Sequence, residues 1–275
     1  MNQQKYKISI LLPTRGRIQS LEKSLVSLLS RAHDPTQIEI LLALDRDDKE
    51  VINFATTDLK KLLETQYRCG YTAMAFNPIG YIRLNEYLNA LARISQGDWL
   101  FFYNDDAVMD TQDWDLEIKK YTGQFRVLRA ETTNQHPYAI FPIIPREWTQ
   151  VTGYISPHQI NDAWVSHIAY LLDIMVDIPV FVHHERFDLT GLNNDETYKN
   201  RPMLEGNHND PRDFNHSNWR EIRLRDANKI CNYIEKTENR ICDWFRDGCA
   251  GKIDIWAKMY AADTKNRLTR IDVNQ

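Results

Sequence analysis

The stretch DWLFFYNDDAVMDTQDWD, residues 98–115, changes character halfway along. Its first part, Trp99 to Tyr103, is an apolar and aromatic run of strand length, too short for a helix with these boundaries. It stops abruptly at Asn104-Asp105-Asp106. Two adjacent carboxylates at the end of a buried strand are costly without a counter-charge. Hard cations such as Mg²⁺ or Mn²⁺ bind through carboxylates and keep positions open for water and phosphate oxygens. The stretch therefore reads as a strand whose carboxyl end holds a metal for a phosphate-bearing substrate.

Upstream, the same form repeats. Lys7 to Leu12 reads as a strand stopped by Pro13, and Thr14 to Arg17 as a turn. Ile18 to Ser30 carries Ile18, Leu21, Leu25, Leu28 and Leu29 at helical spacing, and His33-Asp34-Pro35 breaks that helix. Ile38 to Leu44 is a second near-continuous apolar strand, ending in Asp45-Arg46-Asp47-Asp48. A helix over Glu50 to Thr65, a strand over Thr72 to Phe76 and a loop at Asn77-Pro78-Ile79-Gly80 follow. A further helix spans Ile82 to Ser95, with Leu84, Tyr87, Leu88 and Leu91 on one face, and Gly97 closes it. Apolar strands alternating with helices predict an α/β fold with a mostly parallel sheet covered by helices. Ligands of such sheets sit at the carboxyl ends of the strands. Pro13 to Arg17, Asp45 to Asp48 and Asn104 to Asp106 all lie at such ends, which argues for one shared site.

Downstream, Ala139 to Ile144 reads as a strand and Gly153 to Pro157 as a turn. Asn161 to Leu172 reads as a helix with Trp164, Val165, Ile168 and Leu172 inward. Ile178 to Val182 is another strand, ending at His183-His184. Leu192 to Asn218 is polar and loop-like, and Trp219 to Phe245 is one long amphipathic helix. That helix is first a packing face, and it also offers a surface for a homo-oligomer. The expected division is an α/β domain over 1–200 and a polar loop with a helical C-terminal extension over 201–275.

With 275 residues, 43% of them hydrophobic, the chain can bury a sizeable core, and a formal charge of -4 speaks against nucleic acid as a partner. No apolar run reaches membrane-spanning length, and MNQQKYK leads into a strand without a signal peptide. The four cysteines have neither zinc spacing nor the density of a disulfide scaffold, so reduced thiols in a cytoplasmic protein are expected.

From about Lys7 to Tyr198 these residues together resemble a glycosyltransferase of the GT-A (Rossmann-like) fold, closest to the family-2 type. Pro13, Thr14 and Arg15 match the family's nucleotide-holding turn, and Asp45 its acid for the base or ribose. Asn77, Gly80 and Gly97-Asp98-Trp99 follow the family's order, and Asn104-Asp105-Asp106 stands at its Asp-X-Asp motif. Asn104 replaces the first Asp, which removes one charge from the metal site. The last acid, Asp106, is the implied chief metal ligand, with one of His183 and His184 as a late ligand. Asp162, at the start of a helix, matches the catalytic acid. Asp195 lies in the segment that often closes over the donor. Arg15, Arg17 and Arg83 are candidates for phosphate contact, with only Arg15 in the matched turn.

The resemblance implies transfer of a hexose from a UDP- or GDP-sugar to an acceptor hydroxyl, with inversion at the anomeric centre. A Mn²⁺ or Mg²⁺ ion would stabilise the leaving diphosphate, and Asp162 would take the acceptor's proton. Plainer readings stand beside these. Asn104 to Asp106 could be a strand-ending turn, Asn161-Asp162 a helix cap, and His183-His184 one packed and one exposed ring. A nucleotidyltransferase is a weaker alternative, since its phosphate loop is usually richer in glycine than one holding only Gly16. A non-catalytic nucleotide- or sugar-binding protein of the same fold is the other.

Overall fold

The computed structural model describes residues 6–133, 136–185 and 210–248. Four strands form the first half of the sheet: β1 (Ile8–Thr14), β2 (Ile38–Asp45), β3 (Gly70–Phe76) and β4 (Trp99–Phe102). They lie in parallel in the order β3-β2-β1-β4. Their connectors are α1 (Ile18–Ser30), the pair α2 (Lys49–Thr56) and α3 (Asp58–Leu62), and α4 (Leu84–Ile94).

The period-2 pleat divides the apolar strands between two cores. Ile8, Ile10 and Leu12 of β1, with Ile40 and Leu42 of β2 and Phe101 of β4, face α1, α2 and α3. Leu11, Leu41, Leu100 and Phe102 face α4 on the other side. Burial on both faces is why these strands read as continuous apolar runs rather than alternating ones.

Beyond Asp106 the sheet becomes mixed. β5 (Ala107–Met109), β6 (Val127–Thr132), β7 (Pro142–Pro145) and β8 (Met175–His184) complete an eight-stranded sheet in the order β3-β2-β1-β4-β7-β6-β8-β5. β7 is antiparallel to both β4 and β6, β8 is parallel to β6, and β5 is antiparallel to β8. The expected strand over Ala139 to Ile144 is thus confined to Pro142–Pro145. Strands β5 and β6 lie where sequence periodicity predicts none.

α5 (Trp114–Lys119) completes the first core with Trp114 and Ile118. Asp115, the last acid of the opening stretch, is fully buried and accepts the backbone N–H of His33 (2.6 Å) and the ammonium of Lys119 (2.7 Å), so it is structural. The second core is covered by α4, α6 (Glu147–Thr152), α7 (Asn161–Leu172) and α8 (Ser217–Glu238).

The single helix expected over Trp219 to Phe245 divides into α8 and α9 (Asp243–Arg246), because Asn239 turns into the left-handed region (φ 52°) and ends α8. Ala227, Ile230, Cys231 and Ile234 of α8 are fully buried against this core, so the extension shares it. Cys69, Cys231 and Cys242 are buried free thiols. Among the described residues no helix is long and apolar enough to cross a membrane. Asp195 and nearly all of the polar stretch from Leu192 lie outside the described residues.

Candidate active site

The end of β4 meets the end of β8 through β5. In the β5–β8 ladder Ala107 pairs with His184 and Val108 with His183, and Glu185 N–H continues it to the Asp106 carbonyl (2.7 Å). This pairing brings His184 Nε2 to 3.4 Å from Asp106 Oδ1. The pleat then sorts the histidine doublet. His184 follows Val180 and Val182 into the core and sets its ring edge-on to Phe141. His183 points to the other side, against Phe181, with Nε2 3.9 Å from Asp110. Burial pushes the Asp106 carboxyl up, but His184 and Arg17 outweigh it and hold the group below the usual carboxylate range.

Asp105 has different surroundings. It is 1% exposed. Arg17 grips it as a fork, Nη2 to Oδ1 at 2.6 Å and Nε to Oδ2 at 3.1 Å, and the Thr14 hydroxyl donates to Oδ2 at 2.6 Å. Arg17 Nη1 lies 3.8 Å from Asp106 Oδ2. The counter-charge required by the acid pair thus comes from the start of α1. Asn104 keeps its side chain exposed, while its backbone carbonyl accepts the Ser24 hydroxyl (2.9 Å).

The second acid cluster gathers around Asp45. β1 continues through Pro13, paired in register with Ala43, to Thr14, past the Leu12 at which its apolar run ends. Arg15 therefore leaves the strand end beside β2. It donates to Asp45 (2.8 Å) and doubly to Asp47 (2.6 and 2.8 Å). Asp47 and Asp45 together raise the Arg15 guanidinium above its ordinary range. Phosphate contact by Arg15 would have to break this fork.

The Tyr87 hydroxyl of α4 closes the other side of Asp45 with a short hydrogen bond, and burial followed by Asp45 pushes the phenol up to about 12. Tyr87 is a neighbour of the site that periodicity did not mark, because it sat among the packing residues of its helix, whereas Asp47 belongs to the Asp45 to Asp48 cluster at the end of β2. Asn77 is exposed at the end of β3 and accepts from Arg46 (3.1 Å). With Phe76 and Ile79 it walls an open groove against Glu86, Asn89 and Arg93 of α4. Arg83 is exposed and forks Glu86 one turn away.

Topology fixes the level of Asp162. β7 runs against β4 and ends beside Trp99, where Arg146 N–H bonds the Asp98 carbonyl (2.9 Å). The chain then climbs past the middle of α4, where Asn89 bonds Ile155 N–H (2.8 Å) and the Ser156 carbonyl (2.8 Å). α7 therefore begins toward the carboxyl edge and descends to Leu172, from which β8 restarts opposite Val127. Asp162 lies in the first turn of α7, half-buried, with Oδ1 accepting the Ala163 N–H (2.8 Å). The cap of this helix is Ile160, without a side-chain capping bond, so the cap reading of Asn161-Asp162 is not what is found.

Among the described residues no group of three or more His, Cys, Asp and Glu is arranged to hold a metal ion. The donors that converge are Asp106 and His184. Asp106 Oδ1 and both ring nitrogens of His184 are buried without a hydrogen-bond partner among the described residues. Buried polar atoms of this kind call for an explanation, an absent ion among them. One carboxylate and one imidazole suit a divalent cation that completes its shell with water and phosphate oxygens.

No protein-family model matches the sequence, and no curated protein matches it either. Solved structures do resemble it in shape. S. aureus TarS 1–349 in complex with UDP-GlcNAc aligns with a TM-score of 0.56 at 13% identity, over 82% of this chain and 67% of that one. TarS 1–349 in complex with UDP aligns at 0.52 and 12% identity, over 64% of this chain and 60% of that one. The mannosyltransferase PcManGT from Pyrobaculum calidifontis, in complex with GDP-Man and Mn²⁺, aligns at 0.52 and 12% identity, over 65% and 56%. In these last two alignments the chain spans less than two thirds of the neighbour's length. Likeness at such identities shows the fold alone, and the fold of this chain is that of the GT-A glycosyltransferases.

Proposed function

We propose that this chain is a metal-assisted, inverting glycosyltransferase that moves a hexose from a UDP- or GDP-sugar to an acceptor hydroxyl. The observation that carries this reading is the approach of His184 to Asp106 at the carboxyl edge of the sheet. A parallel sheet binds its ligand at that edge, and a carboxylate and an imidazole are donors that a divalent ion accepts alongside water and phosphate oxygens. The neighbours' UDP, UDP-GlcNAc, GDP-Man and Mn²⁺ support the same substrate class.

Asp106 and His184 would hold a Mn²⁺ or Mg²⁺ ion, which supplies Lewis-acid stabilisation of the leaving diphosphate. Asp45 and Tyr87, with Asn77 beside them, form the polar end suited to the nucleoside. Thr14 fixes Asp105 at the join between the β1 and β4 ends. Asp162 is the general base in this reading. Its carboxylate accepts the acceptor's hydroxyl proton as the oxygen attacks the anomeric carbon from the side opposite the diphosphate. Attack with one base and one leaving group inverts that carbon. Asp162 is half-buried in the first turn of α7.

The test is calorimetric titration of the protein with UDP, GDP, UDP-GlcNAc and GDP-mannose, with and without Mn²⁺. Tight binding of one base class in Mn²⁺ is the expected outcome. Binding of equal strength in EDTA would instead favour a non-catalytic nucleotide-binding protein, consistent with the lean donor set. No binding to any of them would remove the reading.

A further inference from the structure

Asp105 and Asp106 are neighbours in sequence, yet Arg17 stands 2.6 Å from the first and 3.8 Å from the second. The Arg17 guanidinium lies against both Asp105 oxygens, with Nη2 2.6 Å from Oδ1 and Nε donating to Oδ2, which also accepts the Thr14 hydroxyl. Asp106 faces Arg17 only across 3.8 Å, beyond hydrogen-bond reach, and its other oxygen is turned to His184. Arg17 is held at both ends. Its carbonyl accepts the first helical N–H of α1, from Leu21 (2.9 Å), and its fork is locked on a buried carboxylate. Its side chain nevertheless keeps 29% of its surface exposed at the carboxyl edge. Asn104 contributes no charge, and the two donors at Asp106 and His184 make a lean metal site.

We propose that Arg17 is a second, permanent cation of the phosphate subsite: Asp105 holds it, and it carries part of the charge of the donor's diphosphate. This rests on the glycosyltransferase reading and gives Asp105 a positioning role instead of a metal-binding one. A guanidinium fixed by a bidentate partner loses little freedom when a phosphate arrives, and its planar geometry matches phosphate oxygens. The site then retains affinity for a diphosphate when no metal is bound.

The experiment compares UDP with UMP, and GDP with GMP, by calorimetry in EDTA, for the unaltered protein, Arg17→Gln and Asp105→Asn. The unaltered protein is expected to prefer the diphosphate in EDTA, and Arg17→Gln to lose that preference by about tenfold, the scale of one charge-assisted bond. Asp105→Asn keeps the arginine but loosens its fork, so a smaller loss of the same preference is expected. This second variant carries the test should Arg17→Gln fail to fold. An undiminished diphosphate preference in the folded variants overturns the role of Arg17 and leaves the transferase reading standing. Failure of the unaltered protein to bind any of the four nucleotides, with or without Mn²⁺, overturns both.

Discussion

Two carboxylates one residue apart have opposite fates here: Asp105 is spent on Arg17 and Thr14, while Asp106 faces His184. Asp106→Ala is therefore expected to remove the Mn²⁺-dependent part of nucleoside diphosphate binding. The loss should exceed the roughly 10–100-fold cost of losing an outer partner of a metal, read by titration in Mn²⁺ against EDTA. Unchanged Mn²⁺ dependence would show that the ion sits elsewhere. Asp162→Asn has another signature: donor affinity kept and transfer lowered by about 10²–10⁴-fold, the scale of a general base. Full turnover in this variant would rule Asp162 out as the base. At this scale the sequence was legible wherever residue type and strand end coincide, as at Asp45 and Asp106. It left His183 and His184 unsorted, because the phase of the pleat is set by the register of β8 on β5. The partner of Asp105 also stayed hidden, since nothing local to Arg17 distinguishes a gripping arginine from a surface one.

Elements were legible in proportion to how much of their pattern is local. α1 and α7 match their apolar spacing end to end, Ile18–Ser30 and Asn161–Leu172. The helix expected over Glu50 to Thr65 is interrupted at Thr57, whose backbone (φ -115°, ψ -88°) leaves the helical region, so α2 and α3 are separate. β5 is three residues long and antiparallel to a strand some seventy positions away, which no local periodicity can announce. The connection from α4 to β4 illustrates the reverse, a constraint that one residue type reveals. A Cβ on Gly97 would lie 2.6 Å from the backbone nitrogen of Ser9, and the Gly97 N–H bonds the Ser9 hydroxyl (2.8 Å) beside buried Glu39. β1 and β4 meet there, and backbone atoms cannot step aside as a flexible side chain can. Gly97→Ala is expected to destabilise the fold by about 1–3 kcal/mol, the usual cost of overpacking. Urea denaturation measures it, and a loss below about 0.5 kcal/mol would mean that the β1–β4 junction yields.

At the scale of the whole molecule, α8 packs on α7 over the second core, and two buried histidines lie at that seam. His158 and His167 are 1% and 2% exposed. Their rings stand edge-on to Phe214, and His158 also to Trp219. Arg223, buried in the same seam, lies over the Phe214 ring at 4.2 Å. Burial, and after it the charge of Arg223, holds both imidazoles below their ordinary pKa, His167 well below it, although the Arg212 carbonyl and Asp213 partly offset this at His158. The sign follows from proton counting. Below about pH 6.5 the unfolded chain takes up protons at both positions while the folded chain does not, so stability falls as pH falls. Each ring contributes a slope of up to about 1.4 kcal/mol per pH unit, until the pH reaches its folded pKa. Thermal melting between pH 7.5 and 5.5 is therefore expected to lose several degrees, about 2–4 °C per kcal/mol for a chain of this size. His167→Leu fills the same apolar space without a titrating group and should flatten that slope. An equally steep slope in the folded variant would place the acid sensitivity outside the α7–α8 seam.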